Sequence, residues 1–577
     1  MKFSVRIQRR QPRCSAELPA DLHPVLRRIY LNRKIHGIKE LENKLSHLHG
    51  LELLSGMSNA VDRLAQAIID GLKVLVVGDF DADGATSAAL AVRAMRAMGA
   101  SDTGYIVPNR FEYGYGLTPE IVRVASRQNP ALLVTVDNGI SSIEGVDEAN
   151  RLGIEVIITD HHLPGPRLPA AAAIVNPNLH DDAFPSKCLA GVGVIFYVMS
   201  ALRAELRRRG WFGYKSIPEP NMAQYLDLVA LGTVADVVPL DHNNRILVDQ
   251  GLKRIRSGHC VPGISALLRV GGRNQESISA SDLAFAVAPR LNAAGRLDDM
   301  SLGIECLLSD GMGHAMDLSV KLDELNRQRR DIEQSMGSQA MEILRKRFSN
   351  LEQADTPAAI CVYDAGWHQG VIGILASRIK DRLHRPVIAF ADGGNGELKG
   401  SARSINGVHI RDVLDAIATL YPGLLHKFGG HAMAAGLSLR LEHYAEFQRV
   451  LAQRVSMITG AQVGENIIWS DGELGADELA IDTARAIYMA GPWGQDFPEP
   501  VFDGVFDLAD KRIVGSNHLK LVLHHAASGK VVEAIAFNQL GDDLRSGSRV
   551  RVAYRAETNE YRGFCNLQLN VQYIEPL

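Results

Sequence analysis

Short apolar segments alternate with helix-like segments between residues of about 55 and 245, and this pattern restricts the fold most strongly. Each segment is three to five residues long and rich in β-branched side chains. Such segments are typical of strands in a parallel sheet that helices cover on both faces. The sequence therefore predicts a doubly wound α/β domain. Its predicted strands are Val74–Val77, Tyr105–Val107, Leu132–Val136, Val156–Thr159 and Ala173–Val175.

The rest of the chain divides into further segments, because 577 residues exceed what one hydrophobic core can organise. Residues 1–50 are basic and helix-prone, and we expect a solvated flanking segment there. Leu318–Arg347 carries an apolar stripe opposite a charged face, as a long connector helix would. A second α/β unit follows, with predicted strands Ala358–Val362 and Val387–Phe390. The predicted domains are residues 1–50, 51–270, 271–350, 351–460 and 461–577.

The last hundred residues change to strand-like segments separated by Gly, Asn and Asp. The pattern predicts five strands, beginning near Phe502, His518, Val531, Val550 and Phe564. Five strands in this length favour a small β-barrel of the OB type, and a sandwich is the alternative. The predicted fold class is thus α/β, with two α/β lobes joined by a long helix and a C-terminal OB-like β-barrel.

Composition limits the partners and the compartment. The net charge is −4, so a nucleic acid would have to bind in a local groove. The six cysteines form no CxxC pair, which argues against zinc ribbons and a disulfide framework and favours a reducing compartment. No apolar segment follows the N-terminal Arg residues, so we expect no signal peptide. The sequence also has no apolar run of membrane-spanning length, so we expect a cytoplasmic protein without a membrane partner. The cysteines are Cys14, Cys188, Cys260, Cys306, Cys361 and Cys565.

An acidic loop, Asp79–Gly84, follows the first predicted strand and precedes a predicted helix, Ala85–Met98. Its three carboxylates, Asp79, Asp81 and Asp83, stand at alternate positions and repel one another. Hard divalent cations such as Mg²⁺ and Mn²⁺ bind oxygen ligands of this kind. The alternative is that one Asp caps the helix while the others are solvated.

Other acidic residues follow the ends of apolar segments. Asp137 follows Leu132–Val136, and Asp160, His161 and His162 follow Val156–Thr159. Asp236 follows the apolar segment Leu226–Val234, and we interpret its position as equivalent to these strand ends. Sites in open parallel sheets form beyond the carboxyl ends of the strands, so these side chains should share one crevice. They predict a site for two Mg²⁺ or Mn²⁺ ions, whereas each Asp alone is more often a turn or cap residue.

These motifs make the family recognisable. The chain resembles the DHH phosphoesterase superfamily in four motifs, Asp79–Gly84, Asp137–Gly139, Asp160–His162 and Gly232–Asp236. Phe428–Gly436 resembles the glycine-rich motif of the DHH-associated domain. By this resemblance, residues 51–270 form the DHH domain and residues 351–460 the DHH-associated domain.

Three further segments narrow the resemblance to the bacterial 5′→3′ exonucleases specific for single-stranded DNA. They are Pro108–Phe111, Arg290–Arg296 and Trp367–Gly370, and the OB-like tail agrees with them. Ala402 departs from the pattern because Gly is expected there, and we expect its methyl group to tighten a turn without removing a binding group.

The resemblance implies roles for the metal site. Asp137 would bridge two ions, and Asp81 would complete one of the two sites. The other site would comprise Asp83, His161 and Asp236. His162 would donate to a phosphate oxygen, and Asp160 would orient a histidine rather than bind metal. Asp79 would either bind an ion or support a residue that does.

The resemblance also implies substrate-binding residues. Arg110, Arg296, Ser401 and Arg403 match positions of a 5′-phosphate pocket, although each Arg alone is more often a surface ion-pair partner. Gly429, Gly430 and His431 would let a phosphate or nucleotide approach the backbone, with Gly436 beside them. Base stacking by Trp367 and His368, or by Tyr554, Tyr561 and Phe564, competes with simple core packing.

The predicted function is metal-dependent exonuclease activity that degrades single-stranded DNA 5′→3′ to mononucleotides in recombination and repair. One alternative is an oligonucleotide or cyclic-dinucleotide phosphodiesterase, which would need neither the OB-like tail nor the additional Arg residues. Another is a non-catalytic replication scaffold, which the complete carboxylate set disfavours. The resemblance implies a helicase and a single-strand-binding protein as further partners, without a motif for either.

Overall fold

The computed structural model describes residues 5–12, 18–109, 116–348, 356–460, 466–515, 518–537, 539, 544–561 and 564–577. The chain divides into two compact units. The main unit comprises Arg9–Asn326 and Ser470–Leu577, and the second unit comprises Met1–Gln8 and Arg327–Trp469. None of the helices in the described ranges has the length and apolar character that crossing a membrane requires.

The main unit contains the predicted parallel sheet. The spatial order of its strands is β3-β2-β4-β5-β6, and all neighbouring pairs are parallel. Alternate residues face opposite sides, since Val74 and Val76 join one hydrophobic cluster while Leu75 and Val77 join another. The sheet is therefore buried on both faces, as predicted. Its strands are β2 (Val74–Gly78), β3 (Thr103–Ile106), β4 (Leu132–Val136), β5 (Glu155–Thr159) and β6 (Ala173–Val175).

Helices surround this sheet and continue into an all-helical region. The long helix predicted near residue 318 begins earlier, at Met312, and ends at Arg347. The helices are α1 (Pro24–Asn32), α2 (Met57–Ile69), α3 (Ala82–Ala97), α4 (Pro119–Ser126), α5 (Ile143–Arg151), α6 (Gly191–Arg208), α7 (Trp211–Lys215), α8 (Leu226–Ala235), α9 (His242–Arg256), α10 (Pro262–Val270), α11 (Ala280–Asp282), α12 (Ala288–Leu297), α13 (Ser301–Leu308) and α14 (Met312–Arg347), with a π-helical turn at Leu283–Val287 before α12.

The second unit is built on a mixed sheet of order β10-β11-β9-β8-β7, in which only β7 and β8 are parallel. A two-stranded sheet pairs β1 (Val5–Arg9) with β12 (Asn466–Ser470). The other elements of this part of the chain are β7 (Ile360–Tyr363), α15 (Ile372–Leu383), β8 (Val387–Gly394), β9 (Glu397–Arg403), α16 (Ile410–Leu420), β10 (Lys427–Gly430), β11 (Ala434–Arg440) and α17 (Tyr444–Thr459).

The C-terminal strands close into a barrel of order β13-β14-β15-β17-β16, with β15 and β17 parallel. This five-stranded closed barrel confirms the OB-like prediction and excludes the sandwich. Helix α18 (Ile481–Met489) precedes the barrel. The barrel strands are β13 (Phe502–Val514), β14 (His518–His525), β15 (Val531–Ala536), β16 (Arg549–Tyr561) and β17 (Phe564–Pro576).

Three expectations from the sequence were wrong, and one open alternative is settled. The N-terminal segment is not merely solvated, because Val25 and Ile29 of α1 are fully buried in the main hydrophobic core. The apolar segment before Asp236 is the helix α8 rather than a strand, and its burial on all sides explains why the sequence shows no helical periodicity there. Ala402 lies inside β9 and not in a turn. For Tyr554, base stacking and core packing were both open, and the structure favours core packing because this side chain is fully buried inside the barrel.

Candidate metal centre

The register of the parallel sheet brings three acidic residues together. Gly78 pairs with Val136, and Val136 pairs with Thr159. The next residue of each strand is Asp79, Asp137 or Asp160, so these three residues lie side by side at one edge of the sheet. All three are buried. Sequence reasoning predicted this meeting from the strand ends alone.

The acidic loop is shorter than predicted, because α3 already begins at Ala82. Asp81 is its N-cap, and its carboxylate accepts hydrogen bonds from the backbone N–H groups of Asp83 and Gly84, both at 3.0 Å. Asp79 Oδ1 accepts a hydrogen bond from Phe80 N at 2.7 Å. Asp81 is thus the helix cap that the sequence offered as an alternative to metal binding. Both hydrogen bonds use Oδ1, so Oδ2 can still bind a cation.

Asp83 is fixed by the N-terminus of α6. Its Oδ2 accepts a hydrogen bond from Gly191 N at 2.7 Å, and its Oδ1 accepts one from Val192 N at 3.0 Å. Burial, followed by the charge of Asp81, raises the pKa of Asp83 to about 7, although these two hydrogen bonds oppose the rise. A group that holds this carboxylate in its charged form must therefore supply positive charge.

Asp137 occupies the centre of the site. Its backbone is left-handed, with a φ of +62°, and its side chain is almost fully buried. Oδ1 lies 3.1 Å from His161 Nε2 but accepts no hydrogen bond from the described residues. Burial and the surrounding carboxylates, with Asp83 the strongest, raise the pKa of Asp137 well above its usual range.

Asp236 approaches from the end of α8. Its Oδ2 lies 3.5 Å from His161 Nε2, so this imidazole stands between Asp137 and Asp236. Burial, together with the negative charge of Asp83, raises the pKa of Asp236 as well. Asp236 therefore lies beside the strand ends, although it caps the C-terminus of a helix. This corrects the prediction that every acidic residue of the site follows a strand.

Asp160 orients the histidine motif instead of joining the carboxylate cluster. Its Oδ1 lies 2.7 Å from His162 Nδ1, and Oδ2 accepts a hydrogen bond from Ile140 N at 2.9 Å. Burial raises the pKa of Asp160, but its hydrogen bond to His162 holds the pKa below the usual range. Burial alone would lower the pKa of His162. The hydrogen bond and the negative charge of Asp160 outweigh this effect of burial and raise the pKa of His162 to about 9.

The residues present fit divalent cations. Ligand atoms lie within 4.8 Å of one another in three groups, and Asp137 belongs to two of them. Carboxylate and imidazole ligands suit Mg²⁺ or Mn²⁺. The buried Asp137 Oδ1, which accepts no hydrogen bond from the described residues, is an oxygen that a cation would satisfy. The groups are Asp79, Asp81 and Asp137; Asp83, His161 and Asp236; and Asp137, His161 and His162.

Helix α12 packs against the acidic loop and forms a hydrogen bond with its backbone. Asn292 Oδ1 accepts a hydrogen bond from Ala82 N at 2.8 Å, between Asp81 and Asp83. A Cβ on Gly295 would lie 1.8 Å from the carbonyl oxygen of Phe80, so only glycine fits there. Arg296, the predicted phosphate ligand of this helix, is half-buried.

Sequence reasoning missed the support of the site by α12 and by the N-terminus of α6. It noted the Arg290–Arg296 motif but assigned a task only to Arg296, and it did not mention Gly191. A Cβ on Gly191 would lie 2.5 Å from Asp137 Cβ, so this glycine lets α6 reach the site. The pair Gly191 and Gly193 at the start of an apolar segment was the available signal, because a glycine-rich helix start often binds anions.

The second unit holds the other predicted binding residues. Arg403 Nη1 donates to Ser401 Oγ at 3.1 Å and to the Ala402 carbonyl oxygen at 2.8 Å. A Cβ on Gly373, in the first turn of α15, would lie 2.9 Å from both Arg403 Nη2 and Ser401 Oγ. The guanidinium and the hydroxyl therefore lie beside the N-terminus of α15, which favours anions.

The glycine-rich motif forms the hairpin between β10 and β11. Gly429 pairs with Gly436, and a Cβ on either would meet only open space. Gly430 has a φ of +142°, and its Cβ would lie 2.4 Å from the Ala434 carbonyl oxygen. His431 is exposed at the turn. Packing thus requires glycine at position 430 but not at 429 or 436.

The remaining predictions have different outcomes. Trp367 is buried and its Nε1 donates to Gln339 Oε1 at 2.9 Å, so it belongs to the core and does not stack on a base. His368 is half-buried, and its Nδ1 accepts a hydrogen bond from Gly370 N. Arg110 and Cys14 lie outside the described residues, as do the side chains of Tyr561 and Phe564. The five described cysteines are free.

Comparison with known proteins agrees with this architecture. Three family models match: "DHH family, N-terminal domain" over residues 73–233, "DHHA1 domain" over residues 355–457 and "RecJ OB domain" over residues 470–573. The single-stranded-DNA-specific exonuclease RecJ of Dickeya dadantii is 54% identical over 575 residues, which cover 99% of both chains.

Solved structures agree as well. The crystal structure of RecJ from Thermus thermophilus with Mn²⁺ has a TM-score of 0.77 at 29% identity and covers 96% of this chain and 76% of that chain. The structure with Mg²⁺ from the same organism has a TM-score of 0.73 at 27% identity, covering 96% and 74%. Because the Dickeya relative is more than half identical over nearly the whole length, the chain belongs to the RecJ family.

Proposed function

We propose that the chain is a metal-dependent exonuclease that degrades single-stranded DNA from its 5′ end to mononucleotides, in recombination and repair. Its relatives bear the name of single-stranded-DNA-specific exonuclease, and related structures contain Mn²⁺ or Mg²⁺. The observation that carries the proposal is the buried carboxylate of Asp137, which belongs to two groups of metal-ligating atoms. One carboxylate shared by two groups is what a site for two ions requires.

Six side chains would hold the two ions. Two Mg²⁺ or Mn²⁺ ions in such a site supply an activated water and offset charge on the attacking and leaving oxygens of a phosphodiester. Asp137 is the shared ligand, and its buried position fixes the spacing between the two groups. The ligands of the first ion would be Asp79, Asp81 and Asp137. Those of the second would be Asp83, His161 and Asp236, and Asp137 would be shared because its Oδ1 lies 3.1 Å from His161 Nε2.

His162 would bind the phosphate rather than a metal. Asp160 holds its Nδ1, so Nε2 is the nitrogen that can face a substrate oxygen. Asp160 outweighs burial and raises the pKa of His162, which favours the protonated ring that would donate from Nε2 to a phosphate oxygen. Asp160 thus acts through His162, as its hydrogen bonds suggest.

The outer face of the barrel would extend the grip on a single strand. On β14, His518, Lys520, Val522 and His524 alternate with the buried residues, and three of these four are polar or basic. Phe537 is 47% exposed and packs edge-to-face with His518 at 5.2 Å between ring centroids. Aromatic platforms beside cations bind successive bases without sequence preference. Phe537 therefore replaces the buried Tyr554 as the candidate for stacking.

The anion-binding group of the second unit would recognise the 5′-phosphate. Arg403, Ser401 and the N-terminus of α15 supply a guanidinium, a hydroxyl and backbone N–H groups at one place. The open space around Gly429 and Gly436 leaves room for a nucleotide near His431. Arg110 and Arg296 are proposed as further phosphate ligands by family resemblance.

Arg403→Ala tests this assignment. We expect kcat/KM to fall about 10- to 150-fold on 5′-phosphorylated strands, which corresponds to about 1.5–3 kcal/mol of lost charged hydrogen bonding, and much less on 5′-hydroxyl strands. Arg378→Ala is the control, because Arg378 lies on the same α15 but forms an exposed pair with Glu333. Equal losses on both substrates would show that Arg403 does not recognise the strand end.

Digestion of end-labelled strands tests the activity itself. Single and double strands labelled at the 5′ or 3′ end are incubated with Mn²⁺, with Mg²⁺ and with a chelator. We expect labelled mononucleotides at once from 5′-labelled single strands and only late from 3′-labelled ones. Metal-independent cleavage, or equal cleavage of duplexes, would contradict the proposal.

Further aspects rest on family resemblance. We propose a cytoplasmic location and, as partners, a helicase and a single-strand-binding protein. We also propose the domain limits 1–50, 51–270, 271–350, 351–460 and 461–577. Limited proteolysis tests these limits, and copurification with each partner class tests the interactions.

A further inference from the structure

Val237, the residue after Asp236, has a left-handed backbone with a φ of +60°. This conformation suits Gly, Asn and Asp, whereas a β-branched residue in it is an outlier because its side chain crowds the backbone. Val237 is the only β-branched residue among the described non-glycine residues with positive φ. The others are Lys34, Asn129, Asp137, Ser216, His384, Asn395 and Asp496.

The backbone at this position would favour glycine. Asp236 is the C-cap of α8, and the Val237 N–H points to the Val234 carbonyl oxygen at 3.4 Å. Helices commonly end in a left-handed residue just after the C-cap, and that residue is usually glycine. The chain needs this conformation to leave α8, but it does not need a valine side chain to adopt it.

Burial does not explain the valine either. Val237 is 63% exposed, whereas Leu240, three residues later, is 3% exposed and belongs to the core. An exposed side chain adds little to folding by removal of apolar surface from water. Residues that the surrounding structure holds in sparsely populated conformations cluster at functional sites.

The exposed valine is adjacent in sequence to a metal-ligating residue. Asp236 belongs to a metal-ligating group with Asp83 and His161, and its Oδ2 lies 3.5 Å from His161 Nε2. An apolar side chain cannot bind a cation or a phosphate, but it can pack against the sugar or base of the nucleotide whose phosphate is bound there. We propose that Val237 makes this contact with the single strand, an inference that rests on the function proposed above.

The test compares Val237→Gly with Ser216→Gly. Ser216 is an exposed residue with a φ of +55° at the end of α7 in the same unit, so it controls for the effect of glycine in a left-handed position. We expect neither variant to have a lower metal-free Tm than the wild type, because glycine relieves the backbone. Val237→Gly should raise KM for a single strand about tenfold, with kcat changed less than about threefold.

Two further measurements sharpen the result. Val237→Ile keeps an apolar side chain and should retain a KM within about twofold of the wild-type value. A strand with an abasic 5′-terminal nucleotide separates the two contacts. The tenfold difference disappears on this strand if Val237 packs on the base and persists if it packs on the sugar.

Three outcomes would overturn the inference. They are a KM of Val237→Gly within twofold of wild type, a lowered Tm, or a raised Mn²⁺ concentration for half-maximal activity. The last would mean that Val237 acts by holding Asp236. If wild type itself fails to degrade single strands with Mn²⁺, the proposed function is wrong, and this result is distinct from the other three.

Discussion

Asp137 is constrained by both its backbone and its surroundings. Its φ of +62° suits Asn and Asp but strains Ala, so Asp137→Asn isolates the carboxylate better than a truncation does. We expect this variant to lose nuclease activity by roughly three orders of magnitude, or about 4 kcal/mol of transition-state stabilisation. Without metal, it should be more stable than wild type, because one of several mutually repelling buried charges is gone.

Thermal unfolding with and without Mn²⁺ measures both effects. Mn²⁺ should raise the Tm of wild type and leave the Tm of Asp137→Asn nearly unchanged, since ligand binding to the folded state stabilises it. The substitution does not change the neighbouring Asn138. The Asn138 side chain connects β2 to β4 because it donates to the Val77 and Val136 carbonyl oxygens. A normal Mn²⁺-dependent rise in the variant would contradict the shared-ligand assignment.

The pH dependence of stability follows from the same carboxylates. The folded pKa of Asp83 is raised from 3.8 to about 7, so this group favours the folded state fully below about pH 4. That contribution is lost as the pH rises through about 7. We expect urea unfolding of the metal-free protein to show this loss between about pH 4 and 7, and Mn²⁺ to diminish it. An equal loss with saturating Mn²⁺ would argue that no cation binds beside Asp83.

The sequence predicted the acidic and histidine residues of the site but not the groups that hold them. Metal-ligating side chains can be recognised in a sequence by their residue type, and their positions after predicted strands indicate that they lie close together. Gly191 acts through a backbone N–H, and Asn292 acts across 210 residues of sequence. Such contacts depend on tertiary packing, so neither composition nor spacing could reveal them.

Among the secondary-structure elements, α12 controls the position of the acidic loop. Gly295→Ala should push the Phe80 carbonyl away, because the new Cβ would lie 1.8 Å from that oxygen. Asp79 and Asp81 flank Phe80 and would shift with it. We expect kcat/KM to fall about 100-fold, as displacements of this size in active sites do, and the Mn²⁺ requirement to rise.

Gly313→Ala is the matched control for this prediction. Gly313 lies in α14, and a Cβ there would meet no atom within 4 Å. The control should keep full activity and gain slightly in stability, because alanine favours a helix over glycine. If Gly295→Ala retains wild-type activity and Mn²⁺ requirement, α12 does not set the loop position.

The types of most elements were predictable, and the exceptions have a common cause. Short, continuously apolar segments of three to five residues, such as the strands of the parallel sheet, form where predicted. The apolar segment 226–234 could be a strand or a buried helix by pattern alone, because burial on all sides removes the helical periodicity, and the ten residues of α8 fit a helix better than a strand. The burial of α1 depends on a distant C-terminal segment, which local sequence does not encode.

The outer face of the barrel should contribute affinity rather than chemistry. Phe537→Ala should weaken binding of long single strands by about 1–3 kcal/mol, the contribution of one stacked base. The salt dependence should stay unchanged, because no charge is removed, whereas Lys520→Ala should flatten it. Fluorescence anisotropy at several salt concentrations measures both, with Tyr214→Ala as a control at an 82% exposed aromatic residue of α7. Equal affinity of Phe537→Ala and wild type would exclude the stacking role.

At the scale of the whole molecule, the barrel is not an independent appendage of the main unit. Phe502 and Phe506 of β13 belong to the same hydrophobic cluster as Val25 of α1 and Val74 of β2. Deleting the chain from about residue 465 would therefore expose part of that core, and loss of activity would not report on DNA binding. Single substitutions on the barrel surface are the better probe.

Ion pairs add to this attachment. Arg33, which follows α1, donates to both carboxylate oxygens of Asp471 at 2.6 and 3.0 Å, and the two side chains are 2% and 0% exposed. Asp471→Ala would leave a buried guanidinium without its counter-charge. We expect the free energy of unfolding to fall by about 3–5 kcal/mol in urea titrations. Arg33→Met in the same background should restore part of it, because the uncompensated charge is then removed.

Glu478→Ala provides the comparison for Asp471→Ala. Glu478 pairs with Arg28 at 3.6 Å, and their side chains are 28% and 33% exposed. Such partly exposed pairs contribute about 0–1 kcal/mol, so this variant should unfold almost like wild type. If Asp471→Ala also costs less than about 1 kcal/mol, the hydrophobic cluster alone attaches the N-terminal helix to the barrel segment. A large loss in Asp471→Ala that Arg33→Met partly reverses would instead show that the buried ion pair fixes this attachment.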